Sequence, residues 1–167
     1  MSDLERDDYG ARNEYNANSA VAYAKRFIGI QYRFGDDEFH GDDPIYGFDC
    51  SGLISEVLRR QGTIPSRARF SAQGFYDYFI RGLGRECTYR RPGVLVFYGK
   101  SRDKITHIAM MVEGSHVIMA GGGARTTKDS DEAARRNAFV MERPDDYRPD
   151  IVAYADPFNE GQDNEIV

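Results

Sequence analysis

The apolar periodicity of this chain changes once, near Gly84, and that change limits what it can fold into. Before it, apolar residues recur at helical spacing. After it, they fall in short runs bounded by Gly- and Pro-containing turns. Val21, Ala24, Lys25 and Ile28 share one helical face, with Asn18 or Ser19 as the cap and Gly29 as the stop. Leu53, Ile54, Val57 and Leu58 form a second stripe, so a helix begins near Cys50 and closes at Gln61-Gly62. A third helix covers about 71–81, with Phe75, Tyr78 and Phe79 inward. Strands follow at 94–98, at 106–112 and 116–120 around Glu113-Gly114-Ser115, and at 138–143 and 151–155. The stretch 121–137 opens with three glycines and ends in a polar, helical piece. Helices first and strands afterwards predict an α+β fold, N-terminal helices packed on a mostly antiparallel β-sheet, rather than alternating α/β units.

The chain has 167 residues, room for one domain whose core needs no covalent staples. Segment 1–16 has no apolar periodicity and is expected to be an acidic flexible tail. The domain proper is 17–158, and 159–167 is a second acidic tail. Residues 1–16 and 158–167 carry −3 each, so 17–157 is +1 within a net charge of −5. A nearly neutral core with acidic ends argues against nucleic acid as the main partner. No stretch approaches the ~20 apolar residues of a membrane span, so no stable membrane insertion is expected. The opening MSDLERDDYG is acidic and polar, unlike a secretory leader.

Two cysteines cannot form a disulfide framework, and Cys50 is the chemically distinctive one. It follows a Gly-rich polar loop and opens a helix. Helix N-termini offer free N–H groups and partial positive charge, which favour thiolate and lower a cysteine pKa. The same N–H groups can hold an oxyanion. His107, at the start of an apolar strand, is the natural base. The bland alternative is that Cys50 is a small buried hydrophobe and His107 a strand-end histidine.

The strings YRFGDDEFHGDDPIYGFDCSGLISEVLRRQG, IPSRARFSAQGFYDYF, RPGVLVFYG and HIAMMVEGSHVIMAGGG follow one another between about residue 18 and Phe158. Together they resemble the NlpC-type family of papain-like cell-wall cysteine peptidases, and most of all its small bacteriophage and prophage members. The DCSG box with a strand histidine 57 residues later carries most of the likeness. The resemblance implies Cys50 as nucleophile, His107 as general base, and a helical N-terminal half packed on an antiparallel sheet. It implies hydrolysis of amide bonds in peptidoglycan stem peptides, typically beside the γ-linked D-glutamyl residue, with no metal or cofactor. It also implies synthesis in the cytoplasm and action at the wall after lysis or delivery on a phage particle.

One departure stands out. The family usually places a polar residue on the strand after the histidine to orient the imidazole, and here that position is Met119. His116 is no substitute, because it sits just past the turn, roughly 20 Å from His107 at ~3.3 Å per residue. Three outcomes follow: a Cys–His dyad steered by a carbonyl or water, an acceptor from another side chain, or a relative that binds without cutting. Reduced but real activity is the expectation, because triad knockouts elsewhere leave large residual catalysis. The alternatives are a wall-binding or phage-structural module, and an acyltransferase or amidase on another acyl group. Val94 and Ala109 also depart from the family's acidic residue and glycine, and both are expected to concern packing.

Tyr32 matches a family tyrosine expected at the substrate or oxyanion, or else packed beside the cysteine helix. Asp49 and Ser51 flank the nucleophile and either support the site or cap the helix. Arg69, Ser71 and Gln73 fall where the family lines its cleft, or form a solvated helix start. Asp36, Asp37, Glu38, Asp42 and Asp43 fail as a calcium loop, because the twelfth position from Asp36 is Gly47. They either attract a substrate amine or simply face water. Cys50, His40, His107 and His116 match no common zinc spacing. Cys87 is expected to be a free thiol in a polar loop. Gly121, Gly122 and Gly123 are not followed by Gly-Lys-Ser/Thr, so they are expected to let the chain turn close to the active-site strand.

Overall fold

The computed structural model describes residues 12–32, 48–123 and 130–159. The acidic cluster Asp36 to Asp43, and His40 with it, lie outside them. The helices are α1 (Glu14–Lys25), α2 (Cys50–Arg60), α3 (Ala72–Tyr76) and α4 (Ser130–Arg136). The strands are β1 (Glu86–Cys87), β2 (Leu95–Gly99), β3 (Ile105–Met111), β4 (His116–Gly121), β5 (Phe139–Pro144) and β6 (Ile151–Ala155). They form one sheet in the order β1-β6-β2-β3-β4-β5, antiparallel throughout. The α+β architecture is the expected one, and no described helix is long and apolar enough to cross a membrane.

Both faces of the sheet are covered, which is why all five residues of β2 are buried. Leu95, Phe97, Ile108, Met110, Ile118 and Ala120 share a core with Leu53, Ile54, Val57 and Leu58 of α2. Val94, Val96, Tyr98, Ala109, Met111, Val117 and Met119 form the opposite cluster. The two sets alternate along the strands with a period of two. The connection 145–150 must cross β4, β3 and β2, because β5 is an edge strand and β6 lies between β1 and β2. It is pinned on the way. The Asp145 N–H donates to Ser115 O at 3.0 Å, Asp145 pairs with Arg90, and the Gly99 N–H donates to Asp150 O at 2.9 Å.

Three expectations need correction. Helix α1 starts earlier than expected, capped by Asn13, whose side chain accepts the Asn16 N–H at 3.1 Å. Its buried face is Ala17, Ala20, Val21 and Ala24, while Ile28 is exposed. Residues 12–16 are therefore not tail. The Arg12 side chain is buried and donates through Nε to Asp156 at 2.7 Å, and the Asn13 N–H donates to Phe158 O at 2.8 Å. The third helix widens after Tyr76 into a π-helical turn (Asp77–Gly82), with the Leu83 N–H reaching Tyr78 O at 3.0 Å. Tyr76 is then buried with Phe75 and Phe79, and Tyr78 is only half-buried. Cys87 is not in a polar loop. It is a free thiol buried in β1, with Sγ 3.6 Å from Tyr89 O.

The Arg12–Asp156 pair yields a prediction. Asp156 also accepts the Tyr89 hydroxyl at 2.6 Å, and both side chains of the ion pair are buried. Asp156→Ala takes the buried carboxylate from Arg12 Nε and from the Tyr89 hydroxyl and leaves the guanidinium with the more exposed Glu14 and with Pro92 O, so the urea midpoint should drop by the equivalent of about 3 kcal/mol. Replacing Arg12 and Asp156 together by apolar residues should restore part of that loss.

Candidate active site

Helix α2 starts where it does because Asp49 is extended (φ −83°, ψ −179°) and its carboxylate accepts the Gly52 N–H at 2.6 Å. Ser51 Oγ also donates to Asp49, at 3.3 Å. Cys50 is the first residue of the helix and half-buried. Across from it, β3 carries His107 directly opposite Tyr98 of β2. Cys50 and His107 line one cleft of about 280 Å³, together with Tyr32, Thr106, Ala120, the three glycines, Tyr147 and Arg148.

The wall around Tyr32 depends on glycine. Tyr32 bridges to Phe48, and its N–H donates to Ala138 O at 3.0 Å, which fixes the ring beside α2. A Cβ on Gly123 would lie 2.0 Å from that ring. Gly122 has φ +77°, which favours glycine. The triple glycine thus gives the close approach that the sequence suggests.

Met119 occupies the position expected for the imidazole-orienting residue. Its Sδ lies 3.2 Å from His107 Nε2, where a thioether is only a weak acceptor. His116 is exposed at the turn, with Nδ1 2.9 Å from Gly114 O, and is remote from His107 as its place in the hairpin requires.

The electrostatics overturn one expectation. Burial, followed by the Asp49 carboxylate, pushes the Cys50 thiol up to about 11. The N–H groups of Ile108, Ser51 and Cys50 itself pull the other way and do not win. Placing sulfur at a helix start is therefore not enough to lower its pKa when the group is desolvated and an anionic cap sits beside it. Burial, followed by the Arg148 guanidinium, pulls His107 down to about 3, with Asp150 opposing. The resting pair is thiol and neutral imidazole. Burial likewise raises the pKa of Tyr32, with Cys50 and Asp49 adding to the effect.

Of the other sequence candidates, only Tyr32 lines the cleft. Asp49 and Ser51 are engaged at the start of α2, and Ser71 is the N-cap of α3, accepting the Gly74 N–H at 3.0 Å. Gln73 accepts the Ile105 N–H at 2.8 Å and donates to Arg102 O at 2.9 Å, so it ties α3 to the β2–β3 turn. Arg69 is exposed and is not among the cleft residues. Sequence reasoning missed Thr106, Tyr147 and Arg148. The two latter belong to the Pro-Asp-Asp-Tyr-Arg-Pro-Asp connection, whose prolines mark a loop but not where it crosses.

The NlpC/P60 family profile matches residues 29–143, more than half of the chain. The chain belongs to the NlpC/P60 family. Solved structures agree on the papain-like α+β fold. NlpC1 from Trichomonas vaginalis superposes with a TM-score of 0.63 at 16% identity, covering 88% of this chain and 45% of that one. An NlpC/P60 family protein from Bacillus cereus gives 0.62 at 17%, covering 85% and 40%. The peptidoglycan hydrolase RipB from Mycobacterium tuberculosis gives 0.57 at 22%, covering 87% and 68%. This chain spans less than half the length of the first two. No curated protein matches it by sequence.

Two predictions follow from this geometry. Alkylation needs thiolate, and a thiol pKa near 11 leaves only about one thiolate in ten thousand at neutral pH. The iodoacetamide rate at Cys50, followed by peptide mass spectrometry, should rise about tenfold per pH unit above neutrality and level off only near pH 11. Gly123→Ala should displace Tyr32 and distort the cleft, visible as altered Tyr32 ring resonances and faster alkylation of Cys50.

Proposed function

We propose that this chain is a cysteine peptidase, or amidase, that hydrolyses amide bonds of peptidoglycan stem peptides. The observation that carries the reading is the convergence of Cys50, at the start of α2, and His107, on β3, in one cleft beside Tyr32. Family membership supports the reading, as do the peptidoglycan hydrolases SagA and RipB among proteins of the same fold. Association with a phage or prophage rests on the sequence strings around Cys50 and His107, and delivery by lysis or on a particle goes with it.

The chemistry starts from the neutral pair. Met119 takes the Nε2 side of the imidazole, so Nδ1 is left to accept the thiol proton. As that proton moves, the Cys50 sulfur bonds to the scissile carbonyl carbon and the carbonyl oxygen becomes an oxyanion. N–H groups at the start of α2 and the Tyr32 hydroxyl are placed to stabilise it. Collapse expels the amine, which takes the proton from the imidazolium, and water then hydrolyses the thioester. Imidazolium is costly here, because burial and Arg148 both disfavour it. Turnover is therefore slow, but the route is complete.

The Met119 contact also favours a second reading, a wall-binding module without turnover. The two separate on purified peptidoglycan. Cys50→Ala should abolish release of new amines while leaving wall binding intact. Met119→Glu supplies a carboxylate to the imidazolium and should raise the rate about tenfold or more. Wall binding by the wild type with no amine release, unchanged in Met119→Glu, would establish the binding module instead. Mass spectrometry of the released fragments names the bond cut.

A further inference from the structure

Among the described residues, the His107 ring nitrogens meet only the Met119 sulfur, yet three side chains enclose the imidazole. We propose that the ring of Tyr147 positions the His107 imidazole where Met119 cannot. The proposal rests on His107 acting as the base of the reaction described above.

The enclosure is aromatic. Tyr98 lies 5.4 Å from the imidazole, centroid to centroid, tilted by 47°. Tyr147 lies 6.4 Å away on an edge-to-face approach of 77°. The two tyrosines are themselves 5.7 Å apart at 65°. The three rings pack on one another, so turning the imidazole about its χ2 bond would change its contact with both tyrosines. Met119 closes the remaining side at Nε2.

The tyrosines are secured differently. Tyr98 is fully buried, and its hydroxyl donates to Asp145 O at 2.9 Å. Tyr147 is 36% exposed and needs a brace. Tyr98 supplies it through the ring contact between them. The next residue, Arg148, holds the Asp150 carboxylate through Nε and one terminal nitrogen at 2.9 and 2.6 Å, and its guanidinium lies 5.4 Å from the Tyr98 ring centroid. Asp150 is tied back to β2 through Gly99. The guanidinium is thus anchored to the sheet and set against Tyr98, one residue from Tyr147.

The charged groups facing His107 from this side are Arg148 and Asp150, which are paired with each other. Cys50 lines the same cleft from the start of α2. Opposite charges bonded to one another give the ring little net direction, so ring contact carries the positioning. Tyr147 is accordingly a positioning residue.

The experiment compares Tyr147→Ala and Tyr147→Phe, each alone and with Met119→Glu, by steady-state kinetics and by ¹⁵N spectra of the His107 ring. Tyr147→Ala should lower kcat about tenfold at near-constant KM, the size expected for an aromatic contact, and should average the ring tautomers. Tyr147→Phe keeps the ring and should stay within about threefold of wild type. Met119→Glu should help Tyr147→Ala more than it helps the wild type, because an acceptor makes the aromatic brace dispensable. An unchanged His107 spectrum in Tyr147→Ala overturns the proposal. So does a raised KM with kcat intact, or a Tyr147→Phe variant as impaired as Tyr147→Ala. If the wild type releases no amines, the hydrolase reading fails, and the spectra still decide whether Tyr147 holds the ring.

Discussion

The pairing of Tyr98 with His107 across β2 and β3 is the contact on which the site depends. It puts an aromatic ring beside the imidazole by strand register alone, with no loop required. A slip of one residue would send His107 to the helix-facing side and replace it with Ile108 or Thr106. Burial on both faces makes that slip expensive, since each face has its own apolar set. The N–H of Ile108, next to His107 on β3, also favours the Cys50 thiolate, so the strand that carries the histidine acts on the sulfur as well.

Burial also sets the chemistry. A helix N-terminus and three N–H groups favour the thiolate, but desolvation outweighs them, and the Asp49 cap adds repulsion. The residue that starts α2 thus works against ionising the residue that follows it. In the proposed reaction, proton transfer accompanies attack instead of preceding it, so performance depends on holding the imidazole still more than on charging the sulfur beforehand.

The local elements were legible in the sequence because periodicity reports which face of an element is buried. The Cys50 helix, the 106–120 hairpin and the place of Met119 could all be read that way. Asn13 and Arg12 could not, since a buried arginine in an acidic segment has no local signal and acquires meaning only through Asp156. Ser71 and Gln73 read as cleft residues in the sequence because they fall where the family carries a polar segment lining its cleft. They proved to be a cap and a tie to the β2–β3 turn, roles set by neighbours distant in sequence. Tyr147 was invisible for a topological reason. Only the strand order β1-β6-β2-β3-β4-β5 sends its connection across the sheet to His107.

The Arg12–Asp156 pair joins positions 144 residues apart, and Arg12 and Asn159 also form a backbone bridge. The folded chain is therefore nearly a ring closed by one ionic clasp. A short peptide joining these two ends would make the ring covalent and remove conformational freedom from the unfolded chain, in the way a long-loop cross-link does. New ends could then be opened at an exposed turn such as Glu113–Ser115, with the pairing of Tyr98 and His107 untouched. Arg12 and Asn159 sit side by side at this clasp, next to β6 and β1, and neither lines the cleft.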